Sequence, residues 1–278
     1  MKSYLVIGYA NYTPKDRINY ENSLKHFGYN YKIVGENQKW INFMESKIKS
    51  CYEYVKSLNR KPEIIICTDC FDVLAAQTSD KLISEFEHLS KKTGKKIVIG
   101  MEVVCGGNCV AIEHLQNTNI PFKYVNGGFY MGYRKDILKM WKTMLNYNTV
   151  DDQRALGTYV NENSELIYLD TESQFVGNVH NKTQGFFRWD SERNVPYRID
   201  TGRSPYFLHF PGETSEMGLY IDDYGNFLKI KYQSHNFTDM LNALTKMAMR
   251  FNIGIALVVL IIVFIISYFF VTNHVSYQ

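Results

Sequence analysis

Two carboxylates, Asp69 and Asp72, stand at the end of an apolar, β-branched run: Ile64–Val73 reads Ile-Ile-Ile-Cys-Thr-Asp-Cys-Phe-Asp-Val. Such a run suits a strand buried on both faces, and in open α/β sheets ligands bind beyond the carboxyl ends of the strands. Two acids held close there repel each other unless a cation or a shared proton lies between them. Oxygen ligands of this kind suit a hard divalent ion such as Mg²⁺ or Mn²⁺. A helix-capping Asp beside a solvated one is the competing explanation of the same two residues.

The elements that must position these acids alternate along the chain. Ser3–Gly8 reads as a strand, followed near Pro14 by a helix carrying Ile18, Leu24 and Phe27. Tyr31–Val34 reads as a second strand, and Phe43–Leu58 has helical spacing at Phe43, Ile48, Tyr52, Val55 and Leu58. After the Ile64 strand, a helix capped by Thr78 or Ser79 carries Leu82, Ile83, Phe86 and Leu89 and closes at Gly94. Lys96–Gly100 makes a fourth strand that ends toward Glu102. Strands alternating with helices imply a largely parallel sheet covered on both faces. Further on, Phe122–Val125 leads into Asn126-Gly127-Gly128, which reads as a tight turn, and Phe129–Tyr133 as the strand after it. Ile137–Leu145 is amphipathic, Asp151-Asp152-Gln153 opens a helix through Val160, and short strands are expected at Leu166–Leu169 and Tyr206–Phe210.

Composition narrows the class. The 278 residues allow one large domain or two small ones. A net charge of +3, with basic residues clustered only at Lys91, Lys92, Lys95 and Lys96, does not point to a nucleic-acid partner. Five cysteines without framework spacing argue against a disulfide scaffold and fit a reducing compartment. Cys67-x-x-Cys70 and Cys105-x3-Cys109 together also permit a four-thiolate zinc site, against the commoner reading of small buried thiols. Phe251–Val271 carries no charged residue and has the ~20-residue length that crosses a bilayer as a helix. Lys246 and Arg250 precede it and only His274 follows, so the positive-inside rule puts the upstream domain in the cytosol, on a C-terminal tail anchor. The expected division is one α/β domain over 1–235, a juxtamembrane helix over 236–250, a span over 251–271 and a short tail over 272–278. Sequons at Asn11, Asn181 and Asn236 matter only if the domain is lumenal.

Five stretches now line up in order: Thr-Asp-Cys-Phe-Asp-Val (68–73), Asn-Gly-Gly-Phe-Tyr-Met-Gly (126–132), Asp-Asp-Gln (151–153), Leu-Asp-Thr-Glu-Ser-Gln-Phe (169–175) and Leu-His-Phe-Pro-Gly (208–212). Across roughly 3–215 the chain resembles the glycosyltransferase domain of procollagen lysyl hydroxylases and their viral collagen-modifying relatives. The resemblance implies a GT-A type fold, a Rossmann-like, mainly parallel sheet with helices on both faces. It also implies a UDP-sugar donor, a divalent metal (usually Mn²⁺) and transferase rather than hydroxylase activity. Asp69 and Asp72 match the family's D-x-x-D metal motif, with Asp69 also reaching the donor, and His209 matches its downstream metal-binding His. Asn126, Gly127 and Gly128 resemble the sugar-pocket turn, where glycine lets backbone approach a ligand. Gly212, closing the last motif, falls with the donor-binding residues. Asp151 and Asp152 resemble the acidic pair on the acceptor side, able to orient donor hydroxyls or take a proton, although an acidic pair opening a helix also suits N-capping. Asp152 is the favoured base. Trp40, Tyr9 and Tyr12 are candidates for the uracil and ribose end.

Two loops depart from the family: Val103–Cys109 lacks its aromatic, Pro-containing stretch, and the Pro211–Thr214 loop lacks a phosphate-neutralising Lys. The leading expectation is therefore a hexosyltransferase (glucose or galactose) acting on a hydroxyl-bearing protein or glycan. An inactive membrane-anchored protein that binds nucleotide-sugar, and a metal-dependent phosphohydrolase, stand as alternatives.

Overall fold

The computed structural model describes residues 2–211 except 13–14, 60, 106–108, 180–185, 191 and 194. Its first half follows the alternation read from the sequence: β1 (Tyr4–Tyr9), α1 (Lys15–His26), β2 (Tyr31–Val34), a π-helical segment (Phe43–Ile48) running into α2 (Lys49–Ser57), β3 (Ile64–Thr68), β4 (Val73–Ala75), α3 (Ser79–Thr93) and β5 (Ile97–Glu102). The second half adds β6 (Tyr124–Tyr133), α4 (Arg134–Met144), α5 (Asp152–Glu162), β7 (Ile167–Asp170), β8 (Val176–Asn178), β9 (Phe187–Asp190), β10 (Val195–Arg198) and β11 (Phe207–His209).

The central sheet has the order β2-β1-β3-β6-β5-β7. Its strands run parallel except β6, which pairs antiparallel with both β3 and β5. Successive residues of β3 alternate between two cores: Ile64 and Ile66 face one side, Ile65 and Cys67 the other, and all are buried. Tyr20 and Leu24 of α1 with Leu82, Ile83 and Phe86 of α3 cover the first face. Cys51 and Val55 of α2, Ile137 and Trp141 of α4, and Leu156 of α5 cover the second. This double covering is why the strands read as continuous apolar runs rather than alternating ones. Gly94 closes α3 at φ 77°, its N–H donating to the Ser90 carbonyl, as its position after the last apolar residue predicts.

The antiparallel strand is the main departure from the expected order. Asn126-Gly127-Gly128 is not a turn before a strand but the interior of the ten-residue β6. Because β6 runs against its neighbours, its first residues lie beside the carboxyl ends of β3 and β5, and Thr68 pairs with Phe129 while Glu102 pairs with Tyr124. A register shift between Ile99 and Met101 marks a bulge next to this end.

A second, three-stranded sheet, ordered β4-β11-β8, brings His209 opposite both Val73 and Asn178. The backbone N–H of Phe210 donates to the Asp72 carbonyl, which ties the end of β11 to the D-x-x-D turn. β9 and β10 form a separate hairpin.

Cys105 and Cys109 are joined by a disulfide, while Cys51, Cys67 and Cys70 are buried thiols. This corrects the expectation of unpaired cysteines throughout and excludes a four-thiolate zinc site. Paired cysteines belong to oxidising compartments more than to reducing ones, so cysteine usage no longer favours the latter. Among the described residues no helix is long and apolar enough to cross a membrane. The expected span at 251–271, its flanking helix, Gly212, Asn181 and Asn236 lie outside the described residues.

Candidate active site

The carboxyl ends of β3 and β5, the first residues of β6, the start of α5 and the end of β11 surround a cleft of about 690 Å³. Asp69, Asp72 and His209 converge on its floor, with one ligand atom from each lying within 4.8 Å of the others. His209 Nε2 stands 3.5 Å from Asp72 Oδ2 and 4.0 Å from Asp69 Oδ2. The tautomer follows from the neighbours. Asn178 Nδ2 donates to the Met101 carbonyl at 2.8 Å, which turns its oxygen toward His209, and Nδ1 lies 2.8 Å from that oxygen. Nδ1 therefore carries a proton, and Nε2 is the nitrogen that faces the acids. Two carboxylates and one imidazole nitrogen form a donor set suited to Mn²⁺ or Mg²⁺.

Charge is strongly coupled here. Burial opposes a proton on His209, but the facing Asp72 and Asp69 carboxylates outweigh it and raise its pKa. Burial, then the charge of Asp72, raises Asp69 despite the nearby Lys47 ammonium. A cation placed among them relieves both effects.

Gly128 makes the convergence sterically feasible. A Cβ at this position would lie 2.2 Å from His209 Cε1 and 2.5 Å from Nε2, so no side chain fits. Its carbonyl accepts from the Asp69 N–H at 3.0 Å and its N–H donates to Asn126 Oδ1 at 2.7 Å. Asn126 in turn donates to the buried Glu102, which also accepts from Gln153 Nε2 at 2.8 Å. Desolvation raises the pKa of Glu102 although both amides oppose it.

Asp151 and Asp152 both border the cleft, with different attachments. Asp151 caps α5, accepting from the Arg154 N–H at 2.8 Å, so the capping role weighed for the pair is the geometry of this residue. Asp152 is buried and its Oδ2 lies 2.7 Å from Lys47 Nζ. Tyr9, Tyr12 and Trp40 also line the cleft. Trp40 packs near Tyr9, ring centroids 5.7 Å apart, and Tyr12 stacks on Phe71 at 5.3 Å. The Tyr9 hydroxyl is buried without a hydrogen-bond partner among the described residues. A buried polar atom with no partner is costly, and here it borders the cleft.

Residues 2–238 match the family model described as PLOD GT domain. The chain belongs to the PLOD glycosyltransferase-domain family. A protein of Acanthamoeba polyphaga mimivirus is 23% identical over 231 residues, covering 79% of this chain and 48% of its own. The procollagen-lysine,2-oxoglutarate 5-dioxygenase of Drosophila melanogaster is 26% identical over 191 residues, covering 66% of this chain and 25% of its own. Isoform 2 from Mus musculus is 25% identical over 140 residues, 48% of this chain and 18% of its own. The chain thus spans about half, or less, of the curated relatives it matches. The crystal structure of a glycosyltransferase involved in glycosylating the major capsid of PBCV-1 is 14% identical, with a TM-score of 0.49 over 79% of this chain and 98% of that one.

Within this PLOD-type domain, sequence reasoning missed Lys47, Asn178, Glu102 and Gln153 as members of the site. For Lys47 a signal existed. It falls three residues after Met44 and four before Cys51, on the buried stripe that continues through Ile48 and Val55. A charged residue on an apolar helical stripe needs a partner. Asn178 had no such signal, because it lies on a three-residue strand whose neighbours are far away in sequence.

Proposed function

We propose that this domain is a metal-dependent glycosyltransferase of GT-A type that moves a hexose, glucose or galactose, from a UDP-sugar to a hydroxyl acceptor. The observation that carries the reading is the convergence of Asp69, Asp72 and His209 on a cleft that also holds the Asp151–Asp152 pair and an aromatic wall. Asp69, Asp72 and His209 hold the ion. Mn²⁺ or Mg²⁺, when bound, neutralises the departing diphosphate as a Lewis acid. Tyr9, Tyr12 and Trp40 receive the nucleoside, with the Tyr9 hydroxyl donating to it or accepting from it. Gly128 leaves room for the His209 ring, Gly127 borders the cleft beside Asp152 where the donor sugar would lie, and Asn126 fixes this stretch of β6 through Glu102 and the Gly128 amide. Asp152, with Asp151 beside it, faces the sugar and acceptor, where a carboxylate can orient hydroxyls or accept the acceptor's proton.

The procollagen-lysine names of the relatives support a hydroxylysine-type protein acceptor, with a glycan as the other hydroxyl source. The proposal keeps a single C-terminal membrane helix over 251–271, with the domain placed in the cytosol by the Lys246 and Arg250 charges. The test is UDP release by the full chain across UDP-glucose, UDP-galactose and UDP-N-acetylhexosamines with Mn²⁺. Turnover with one hexose donor that Asp69→Ala and Asp72→Ala each abolish supports the reading. Turnover unchanged in both variants overturns it. Phosphate release from simple esters would instead favour a phosphohydrolase, and UDP binding without turnover an inactive binding protein.

A further inference from the structure

Lys47 is a buried cation at the centre of the acids, on the π-helical segment that precedes α2. Its ammonium lies 2.6 Å from Asp69 Oδ1, 2.7 Å from Asp152 Oδ2 and 3.1 Å from the Gly127 carbonyl. The Gly127 carbonyl accepts its hydrogen bond and the two carboxylates pair with its charge, which is what makes its burial tolerable. π-Helical turns are themselves frequent at functional sites.

The contacts divide each acid in two. Asp69 gives Oδ1 to Lys47, while its Oδ2 points toward His209. Asp152 gives Oδ2 to Lys47, leaving Oδ1 for a hydroxyl. Five carboxylates line the cleft, Asp69, Asp72, Glu102, Asp151 and Asp152, and among the described lining residues Lys47 is the one lysine set against them.

We propose that Lys47 is a positioning residue that assigns Asp69 to the ion through a single oxygen, holds Asp152 toward the sugar, and sets metal affinity below what the acids alone would give. This rests on the metal-dependent reading above. A residue serving only to fill the core would not alter ion affinity in a defined direction. Removing its charge makes the cleft more negative and tightens metal binding. Neutralising Asp152, which stands outside the ligand set, leaves the lysine less balanced and weakens it.

The experiment is calorimetric titration of the full chain with MnCl₂ alone, beside UDP-hexose kinetics. Lys47→Met is expected to bind Mn²⁺ about tenfold more tightly and Asp152→Asn about tenfold more weakly, since a unit charge at this range is worth roughly a kilocalorie or more. Lys47→Arg, which keeps the charge, stays within about threefold of the parent. Turnover falls in Lys47→Met through kcat, despite the tighter ion. If Lys47→Met does not fold, Asp152→Asn and Lys47→Gln carry the comparison. Mn²⁺ affinity unchanged in these variants, or shifted the opposite way, overturns the role of Lys47 while leaving the metal site standing. A parent chain that binds no Mn²⁺ overturns both.

Discussion

Replacing Gly128 by alanine should dismantle the metal site with a single methyl group. The added Cβ would meet the His209 ring at 2.2, 2.5 and 2.7 Å, all well short of the 3.4 Å at which ordinary contact begins. Neither partner can yield without loss. Gly128 sits in the interior of β6, its carbonyl and amide both engaged. His209 is buried, held by Asn178 and fixed in register between β4 and β8. The cheapest escape is rotation of the imidazole, which carries Nε2 away from Asp69 and Asp72. Overpacking of this kind costs about 1–3 kcal/mol of stability, and misorienting a metal-binding histidine costs roughly 10–100-fold in affinity. The assay is Mn²⁺ titration of the variant beside its denaturant midpoint. A folded Gly128→Ala with parental Mn²⁺ affinity would refute the claim that His209 needs this glycine to reach the ion. Gly127→Ala is the control: its Cβ comes no nearer than 3.4 Å to Asp152, so metal affinity should change little.

Three further outcomes can be checked. Tyr9→Phe removes a buried hydroxyl that has no partner among the described residues, so UDP affinity should fall by about 2–12-fold while thermal stability holds or rises; unchanged UDP affinity would remove Tyr9 from the nucleoside site. Asp170 is buried, and desolvation outweighs three backbone N–H donors to push its carboxyl from 3.8 up to about 6. With the folded value above the unfolded one, its contribution to stability is complete below about pH 4 and is lost as pH rises through about 6, about 3 kcal/mol in all; Asp170→Asn should flatten that slope in denaturant melts and lower stability throughout, because an amide cannot accept as both carboxylate oxygens do. In cells, a cytosolic domain leaves Asn11, Asn181 and Asn236 unmodified, so a glycosidase-sensitive mass shift would reverse the proposed orientation and agree with the Cys105–Cys109 disulfide.

The parts of the fold legible in the sequence were those with a strong local signal. The triple-isoleucine run and its two acids became β3 and the cleft floor, and Gly94 closed α3 where its neighbours said it should. The helix opened by Asp151-Asp152-Gln153 runs from Asp152 to Glu162. Illegible were features whose cause lies elsewhere in the chain. Asn126-Gly127-Gly128 carries the composition of a turn, yet Gly128 is glycine because a histidine ring about 80 residues later occupies the place of its side chain. β4 and β8 are three residues each and exist only through pairing with β11, which no local pattern announces. Lys47 belongs to none of the motifs, although its phase on the apolar stripe marks it as buried.

The central claim is that Asp69, Asp72 and His209 hold one divalent ion against a diphosphate. Calorimetry of UDP binding to the full chain, with and without Mn²⁺, for the parent and His209→Ala tests it most directly. UDP binding should require Mn²⁺ in the parent and lose that requirement, together with most of its affinity, in the variant. Equal UDP affinity with and without the ion, or a His209→Ala chain that still couples the two, would contradict it.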